Sequence, residues 1–202
     1  MRKMGRAEVG LTGGIGCGKS EVARILEKDG IPVLDTDEVA HALMAPGETT
    51  YESVVGAFGD SILGKDGRID RKVLGARVFG NASERKFLNS LVHPEVRRYW
   101  QSWVDERRAQ DDSAVVVIPL LFETGATRGW TAIVCVTAED QLVRERLKSR
   151  GLSAEQAEQR IAAQMQVEEK ASRADYVIEN SGTLEELAHR VRTTWTAIAD
   201  KE

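Results

Sequence analysis

The chain has 202 residues, 42% hydrophobic and 30% charged with four prolines, a composition that sustains one sizeable packed core and excludes extended disorder. A formal net charge of −4 argues against a general nucleic-acid-binding surface, and the longest apolar run, Ala114 to Phe122, is less than half of a membrane span. The two cysteines, Cys17 and Cys135, lie far apart and match no metal or redox spacing, which fits a reducing compartment. The basic start Met1-Arg2-Lys3-Met4-Gly5-Arg6 leads towards a glycine-rich loop and not into an apolar signal core. A cytoplasmic protein without nucleic-acid or membrane partners is expected.

Ala7 to Thr12, with Val9 and Leu11, reads as a short strand. It runs into Gly13-Gly14-Ile15-Gly16-Cys17-Gly18-Lys19-Ser20, which fits the G-x-x-x-x-G-K-[ST] phosphate loop at every fixed position. Glycines let the backbone aim its N–H groups inward, and the helix that follows adds the positive end of its dipole. Gly14, Ile15, Gly16, Cys17 and Gly18 would cradle a triphosphate, Lys19 would reach the β- and γ-phosphates, and the Ser20 hydroxyl would sit on Mg²⁺. Val22, Ala23, Ile25 and Leu26 form the apolar stripe of that helix, which ends before Gly30. Cys17 stands near Lys19 and a helix N-terminus, both of which favour a thiolate. Two readings stay open for it: a reactive thiol whose modification blocks the phosphates, or a small neutral side chain tolerated in the loop. Cys135 is expected to be buried and inert.

Ile31 to Leu34 reads as a second strand, ending in Asp35-Thr36-Asp37. Ligands of open parallel sheets lie beyond the carboxyl ends of the strands, so these acids are expected near the phosphate loop. A carboxylate there can take the proton of an acceptor hydroxyl, and an aspartate also suits a helix N-cap; one group of each kind is expected. Roughly eighty residues separate this strand from the next, far more than one crossover helix needs. They read as helices from Tyr51 to Phe58, Arg71 to Phe79 and Glu84 to Val92, and a longer one beginning at Pro94. His93 is thereby placed at a loop-to-helix junction, where it is either structural or positions an acceptor. An all-helical insertion of this kind is a natural holder for a second substrate.

Val115 to Ile118, Ala132 to Val136 and Tyr176 to Ile178 complete five short strands, β-branched and not alternating, as buried parallel strands are. Helices between them predict βαβ units. After the third strand come Pro119-Leu120-Leu121-Phe122-Glu123, where many phosphate-loop enzymes have a metal-binding aspartate; acidic help for Mg²⁺ is left to Asp35, Asp37 or Glu123. Glu123 reads equally as a solvated loop acid. Helices from Glu139 to Arg150 and from Ser153 to Gln166 carry Arg144, Arg146, Arg150 and Arg160, with Arg173 beyond, and fit a lid closing over phosphates. Ser153 with Gln156, and Thr183 with Glu186, are capping boxes, the second opening a final helix with a stripe from Leu184 to Ile198. Trp100, Trp103, Trp130 and Trp195 read as core or pocket walls.

Taken in order, Leu11 to Ser20, Asp35-Thr36-Asp37, His93-Pro94, Pro119 to Glu123, Gln141-Leu142-Val143-Arg144 and Asp175 to Gly182 resemble the dephospho-coenzyme A kinases, which are similar in architecture to the nucleoside monophosphate kinases. The resemblance implies an α/β phosphate-loop fold with a five-stranded parallel sheet. It implies ATP-dependent phosphorylation of the ribose 3′-hydroxyl of dephospho-coenzyme A, with Mg²⁺, giving coenzyme A and ADP. It implies Asp37 as base, Thr12, Lys19 and Arg144 at the phosphates, Asn180 near the adenine, and His93, Leu120 and Glu123 beside the acceptor with Asp37. The expected organisation is a single kinase domain with core 7–37, 113–138 and 174–202, an acceptor-binding insertion 38–112 and a lid 139–173. Cys17 replaces the family's usual serine and Glu21 its frequent threonine; neither removes a backbone donor or the Lys19-Ser20 pair. The alternative is a nucleoside or nucleotide kinase with another acceptor. A GTP-dependent switch is disfavoured, because none of Asn81, Asn89 or Asn180 is followed by lysine.

Overall fold

The computed structural model describes residues 6–200, so Met1 to Gly5 of the basic start lie outside the described residues. The chain divides into two compact units, one of residues up to Leu34 together with those from Val104 onward, the other Asp35–Trp103. Each is taken by itself.

The first unit is built on the predicted sheet. Its strands are β1 (Glu8–Gly13), β2 (Val33–Asp35), β3 (Ala114–Val117), β4 (Ala132–Thr137) and β5 (Tyr176–Glu179), in the order β2-β3-β1-β4-β5. β1 pairs in parallel with β3 and β4, and β4 with β5. β1, β3 and β4 are buried along almost their whole length, which is why their sequences run apolar without alternation. Helix α1 (Lys19–Lys28) and the final helix, α9 (Leu184–Ala199), bury Val22, Ile25, Leu26, Leu187, Val191, Trp195 and Ile198 into one core with Val9, Leu11 and Val134. Both predicted capping boxes are present, Ser153 with Gln156 and Thr183 with Glu186. Asp175, just before β5, exchanges two bonds with Ile133: its N–H donates to the Ile133 carbonyl (2.9 Å) and its carboxylate accepts from the Ile133 N–H (2.7 Å).

The arginine-rich stretch forms three helices: α6 (Asp140–Ser149), α7 (Ala154–Ala162) and α8 (Val167–Arg173). The helix expected to run to Gln166 stops four residues earlier, because the next groups bond elsewhere: the Met165 N–H donates to Glu123 Oε1 (3.0 Å) and the Gln164 amide oxygen accepts from the Ile15 N–H (3.1 Å).

The second unit is helical: α2 (Thr36–Leu43), α3 (Thr49–Phe58), α4 (Arg71–Phe79) and most of α5 (Ala82–Ala109), which continues into the first unit. A short turn of 3₁₀ helix, Asp60–Ile62, and an antiparallel bridge between Leu63 and Ile69 join α3 to α4. The two helices expected to meet at Pro94 are one. Proline inside a helix costs about 3 kcal/mol. Against that, Val92, Val96, Trp100 and Val104 are buried at four-residue intervals straight through it, so breaking the helix would split a continuous apolar stripe.

Candidate active site

The turn from β1 into α1 adopts backbone geometry that side chains forbid. Gly13 has φ 145° with the Val136 carbonyl where a Cβ would stand, and Gly18 has φ 95° with the Asn180 amide equally close. Four of the loop's carbonyls are held by side-chain donors. Lys19 Nζ donates to Gly13 O (3.1 Å) and Gly14 O (2.9 Å), Arg146 Nη1 to Gly16 O (3.3 Å), and Asn180 Nδ2 to Cys17 O (2.8 Å). With those carbonyls committed, the N–H groups of Gly16 and Gly18 make no hydrogen bond among the described residues. Loop amides and the first turn of α1, whose residues Lys19 and Ser20 follow at once, therefore form an anion-binding concavity.

Two residues carry this arrangement that the motif does not contain. Arg146 Nη2 also reaches the Asn180 carbonyl (3.0 Å) and Oδ1 (3.5 Å), while the Asn180 N–H donates to Thr137 O (2.8 Å). Asn180, at 5% exposure, is thus locked between the end of β4 and the loop. Arg146 was one of five arginines in sequence; only its position one turn behind the loop in space distinguishes it.

Gly14, Ile15 and Cys17 line one side of a cleft of about 360 Å³, and Val143, Arg144 and Val167 are among the residues on its other walls. Arg144 itself is exposed and engaged with acids, Nε with Glu158 (2.6 Å) and Nη1 with Asp140 (3.4 Å), and these partners hold its guanidinium above the usual arginine range. Ser20 is exposed at the start of α1, and its hydroxyl makes no hydrogen bond among the described residues.

Burial favours the packing reading of Cys17 over the reactive-thiol one. The residue is 2% exposed, and its burial pushes the thiol up despite the opposing pull of Lys19 and Arg146. A Cβ on Gly14 would come within 2.9 Å of the sulfur, which shows how closely the loop wraps it. Cys17 is a small packing group. Cys135 is fully buried, its thiol pushed up to about 12 mainly by that burial, as expected of an inert core cysteine.

At the end of β3 the structure shows a pair that sequence did not reveal. Lys170 of α8 has no exposed surface; its Nζ donates to Pro119 O (2.7 Å) and pairs with Glu123 Oε1 (2.8 Å). Glu123 is partly exposed but engaged, paired with a buried lysine. Thr12, fully buried, donates from Oγ1 to the same Pro119 carbonyl (3.3 Å), and Leu120 O closes the following turn with Thr124 N (2.9 Å). A single lysine among acidic neighbours in α8 resembles any solvated helix face, so sequence held no signal for Lys170.

In the second unit, Asp35 ends its strand as the N-cap of α2: its Oδ1 accepts from the Asp37 N–H (2.8 Å). That assigns the cap to Asp35 and leaves Asp37, exposed in the first turn of α2, as the other member of the pair. His41 follows one turn later. Its imidazole is held below the usual histidine range by burial and by Arg71, against the opposite pull of Asp37, Asp35 and Glu38. His93 does not stand at a helix start; it lies mid-way along α5, half-buried, and that burial lowers its pKa.

A parallel sheet whose first strand feeds a glycine loop, a back-folded lysine and a helix defines a phosphate-loop nucleotide-binding protein. The dephospho-CoA kinase family matches residues 7–186. A dephospho-CoA kinase of Geobacter sulfurreducens is 46% identical over 192 residues, spanning 93% of this chain and 96% of that protein. A crystal structure from Thermus thermophilus superposes with a TM-score of 0.81 at 36% identity, covering 98% of this chain and 99% of that one. The dephospho-CoA kinase of Campylobacter jejuni gives a TM-score of 0.70 at 27% identity, over 96% and 97% of the two chains. The chain belongs to the dephospho-CoA kinase family.

Proposed function

We propose that this chain transfers the γ-phosphoryl group of ATP to the ribose 3′-hydroxyl of dephospho-coenzyme A, giving coenzyme A and ADP. The observation that carries the nucleotide half is the loop in which the Gly13, Gly14, Gly16 and Cys17 carbonyls are turned to side-chain donors while the Gly16 and Gly18 N–H groups make no hydrogen bond among the described residues. Family membership supports the acceptor.

In this reading the loop from Gly14 to Gly18 cradles the β-phosphate, chiefly through the Gly16 and Gly18 N–H groups, and Lys19 leaves its carbonyl partners to meet charge developing on the γ-phosphate. Ser20, with an uncommitted hydroxyl beside the loop, fits an oxygen ligand of Mg²⁺, which takes few protein ligands when phosphates supply the rest. When bound, Mg²⁺ neutralises phosphate charge. Asp37 takes the 3′-hydroxyl proton as that oxygen bonds to phosphorus and the bond to the ADP oxygen breaks. Arg144 exchanges Glu158 and Asp140 for the phosphates, and Thr12 holds the base of the loop through Pro119. His93, Leu120 and Glu123 serve the acceptor indirectly, Glu123 through its pairing with Lys170; Asn180 serves the nucleotide by holding Cys17. The insertion 38–112 holds the acceptor and 139–173 is the lid.

A coupled ADP-release assay across dephospho-coenzyme A, AMP, CMP and nucleosides tests the proposal. Dephospho-coenzyme A is expected to give the highest kcat/KM; a higher value for AMP or a nucleoside overturns it.

A further inference from the structure

The turn between α7 and α8, residues 163–166, is fastened both to the phosphate loop and to the end of β3. The Gln164 side-chain oxygen accepts from the Ile15 N–H (3.1 Å), inside the loop. The next N–H, of Met165, donates to Glu123 Oε1 (3.0 Å), the oxygen that also meets Lys170 Nζ (2.8 Å). Lys170 reaches on to the Pro119 carbonyl (2.7 Å), which Thr12 Oγ1 also holds (3.3 Å). Thr12 directly precedes Gly13, so these bonds form a closed circuit that leaves the chain just before the loop and returns to it at Ile15. The circuit is stiff on its far side, because a lysine with no exposed surface cannot give up its partners without a large penalty. It is tight on its near side, where a Cβ on Gly14 would stand 3.5 Å from Val167, the first residue of α8.

The loop amides alternate. The Ile15 N–H is taken by Gln164 and the Cys17 N–H by Gly14 O (3.3 Å), while those of Gly16 and Gly18 make no hydrogen bond among the described residues. We propose that Gln164 is a positioning residue for phosphoryl transfer: by holding Ile15 from the α7–α8 turn it fixes this alternation and keeps the Gly16 and Gly18 N–H groups aimed at the β-phosphate. The inference rests on the nucleotide site assigned under the proposed function. The phosphate-loop motif itself does not supply the constraint, because it leaves the residue at position 15 unspecified. The residue type at 164 matters as well. A side-chain amide oxygen accepts from the Ile15 N–H without bringing negative charge to a loop that receives a triphosphate, whereas a carboxylate of the same length would accept and repel. A loop set in shape by a turn outside it needs no reorganisation as charge develops on the phosphates.

Gln164→Met keeps the length of the side chain and loses the acceptor. By calorimetry with no acceptor substrate present, ADP with Mg²⁺ is expected to bind this variant about five- to tenfold more weakly than the parent, as the loss of one hydrogen bond implies. The KM for ATP rises by a similar factor, while the KM for dephospho-coenzyme A and the melting temperature stay near the parental values. A merely structural role would instead lower the melting temperature and move both KM values together. Ile15→Pro removes the N–H from the loop side. Because Gln164 works through that bond, Gln164→Met has no further effect in the Ile15→Pro background, whereas independent effects would multiply. Where Ile15→Pro does not fold, Gln164→Glu decides: it keeps an acceptor at the same reach, so in high salt, which screens its charge, it binds ADP as the parent does while Gln164→Met stays weak. Unchanged ADP binding in Gln164→Met, multiplied losses in the double variant, or equal weakness of the Glu and Met variants in high salt overturns the assignment. Absence of turnover with dephospho-coenzyme A in the parent overturns the acceptor reading instead, and the ADP calorimetry still decides Gln164.

Discussion

The phosphate loop and the helical unit of residues 35–103 handle charge in opposite ways. Around the loop the side chains are committed: Lys19, Arg146 and Asn180 each hold a named carbonyl, and Lys170 is sealed against Glu123 and Pro119. In the helical unit Arg71 lines a cavity and makes no hydrogen bond or ion pair among the described residues, and Asp37 is exposed on the first turn of its helix. A site that receives the same triphosphate in every cycle gains from rigid preorganisation, because no reorganisation is then needed as charge develops. Under the proposed function, the unit that takes up the acceptor presents its acid, Asp37, at the surface instead.

Substitutions can break this contrast or sharpen it. The largest effect is expected for Asp37→Asn, which keeps size and removes the base: kcat falls by about 10²–10⁴ with little change in ATP affinity. Asp35→Asn, which retains a cap acceptor, loses much less; an equal or greater loss there in steady-state kinetics means the two acids are assigned in reverse. Lys19→Ala is expected to lower kcat by about 10²–10³, as for removal of one preorganised donor to a developing oxyanion, and near-normal turnover in a folded variant refutes its role.

Next comes the buried pair, where the two halves are unequal. Glu123→Gln strands a lysine with no exposed surface, at a cost of about 3 kcal/mol, whereas Lys170→Met leaves a partly exposed carboxylate that water reaches and costs less. Urea denaturation of both variants measures this, and the reverse order of stability contradicts it. Arg146→Ala removes the donor to Gly16 O and should cost about 1–2 kcal/mol of ATP binding, roughly a tenfold rise in KM for ATP with little change for the acceptor. The smallest effect is at the surface. Arg192 hydrogen bonds (2.8 and 2.9 Å) hold the Asp29 carboxyl below its ordinary range. The pair's stabilisation is present above the unfolded carboxylate pKa of about 3.9 and lost as pH falls through the lower folded value. The melting temperature of Asp29→Asn should lie slightly below the parent at pH 7 and converge with it in acid; a gap that persists there assigns the effect to something other than this charge.

Much of the fold was legible because its signals are local. Five apolar runs became five strands with ends shifted by one or two residues, and both capping boxes formed as spaced. The Asp35–Asp37 pair could be split only between two possible assignments, since cap geometry depends on where β2 ends. The failures share a cause. Pro94 is a local helix-breaking signal outweighed by burial of Val92, Val96 and Trp100, and the break after Ala162 follows from partners more than forty residues away.

By itself, the amino-acid sequence determined the phosphate loop, the parallel α/β class, the caps and the ordered motifs of the family, because each depends on residues within a few positions of one another. Tertiary structure alone decided which arginine of the lid stretch holds the loop, that Cys17 is buried, that Lys170 neutralises Glu123, and that Gln164 meets the Ile15 amide. These depend on burial and on groups brought together across the chain. Whether a charge is paired, and whether a thiol can ionise, is set by the dielectric and the partners around it, which no short stretch of sequence contains.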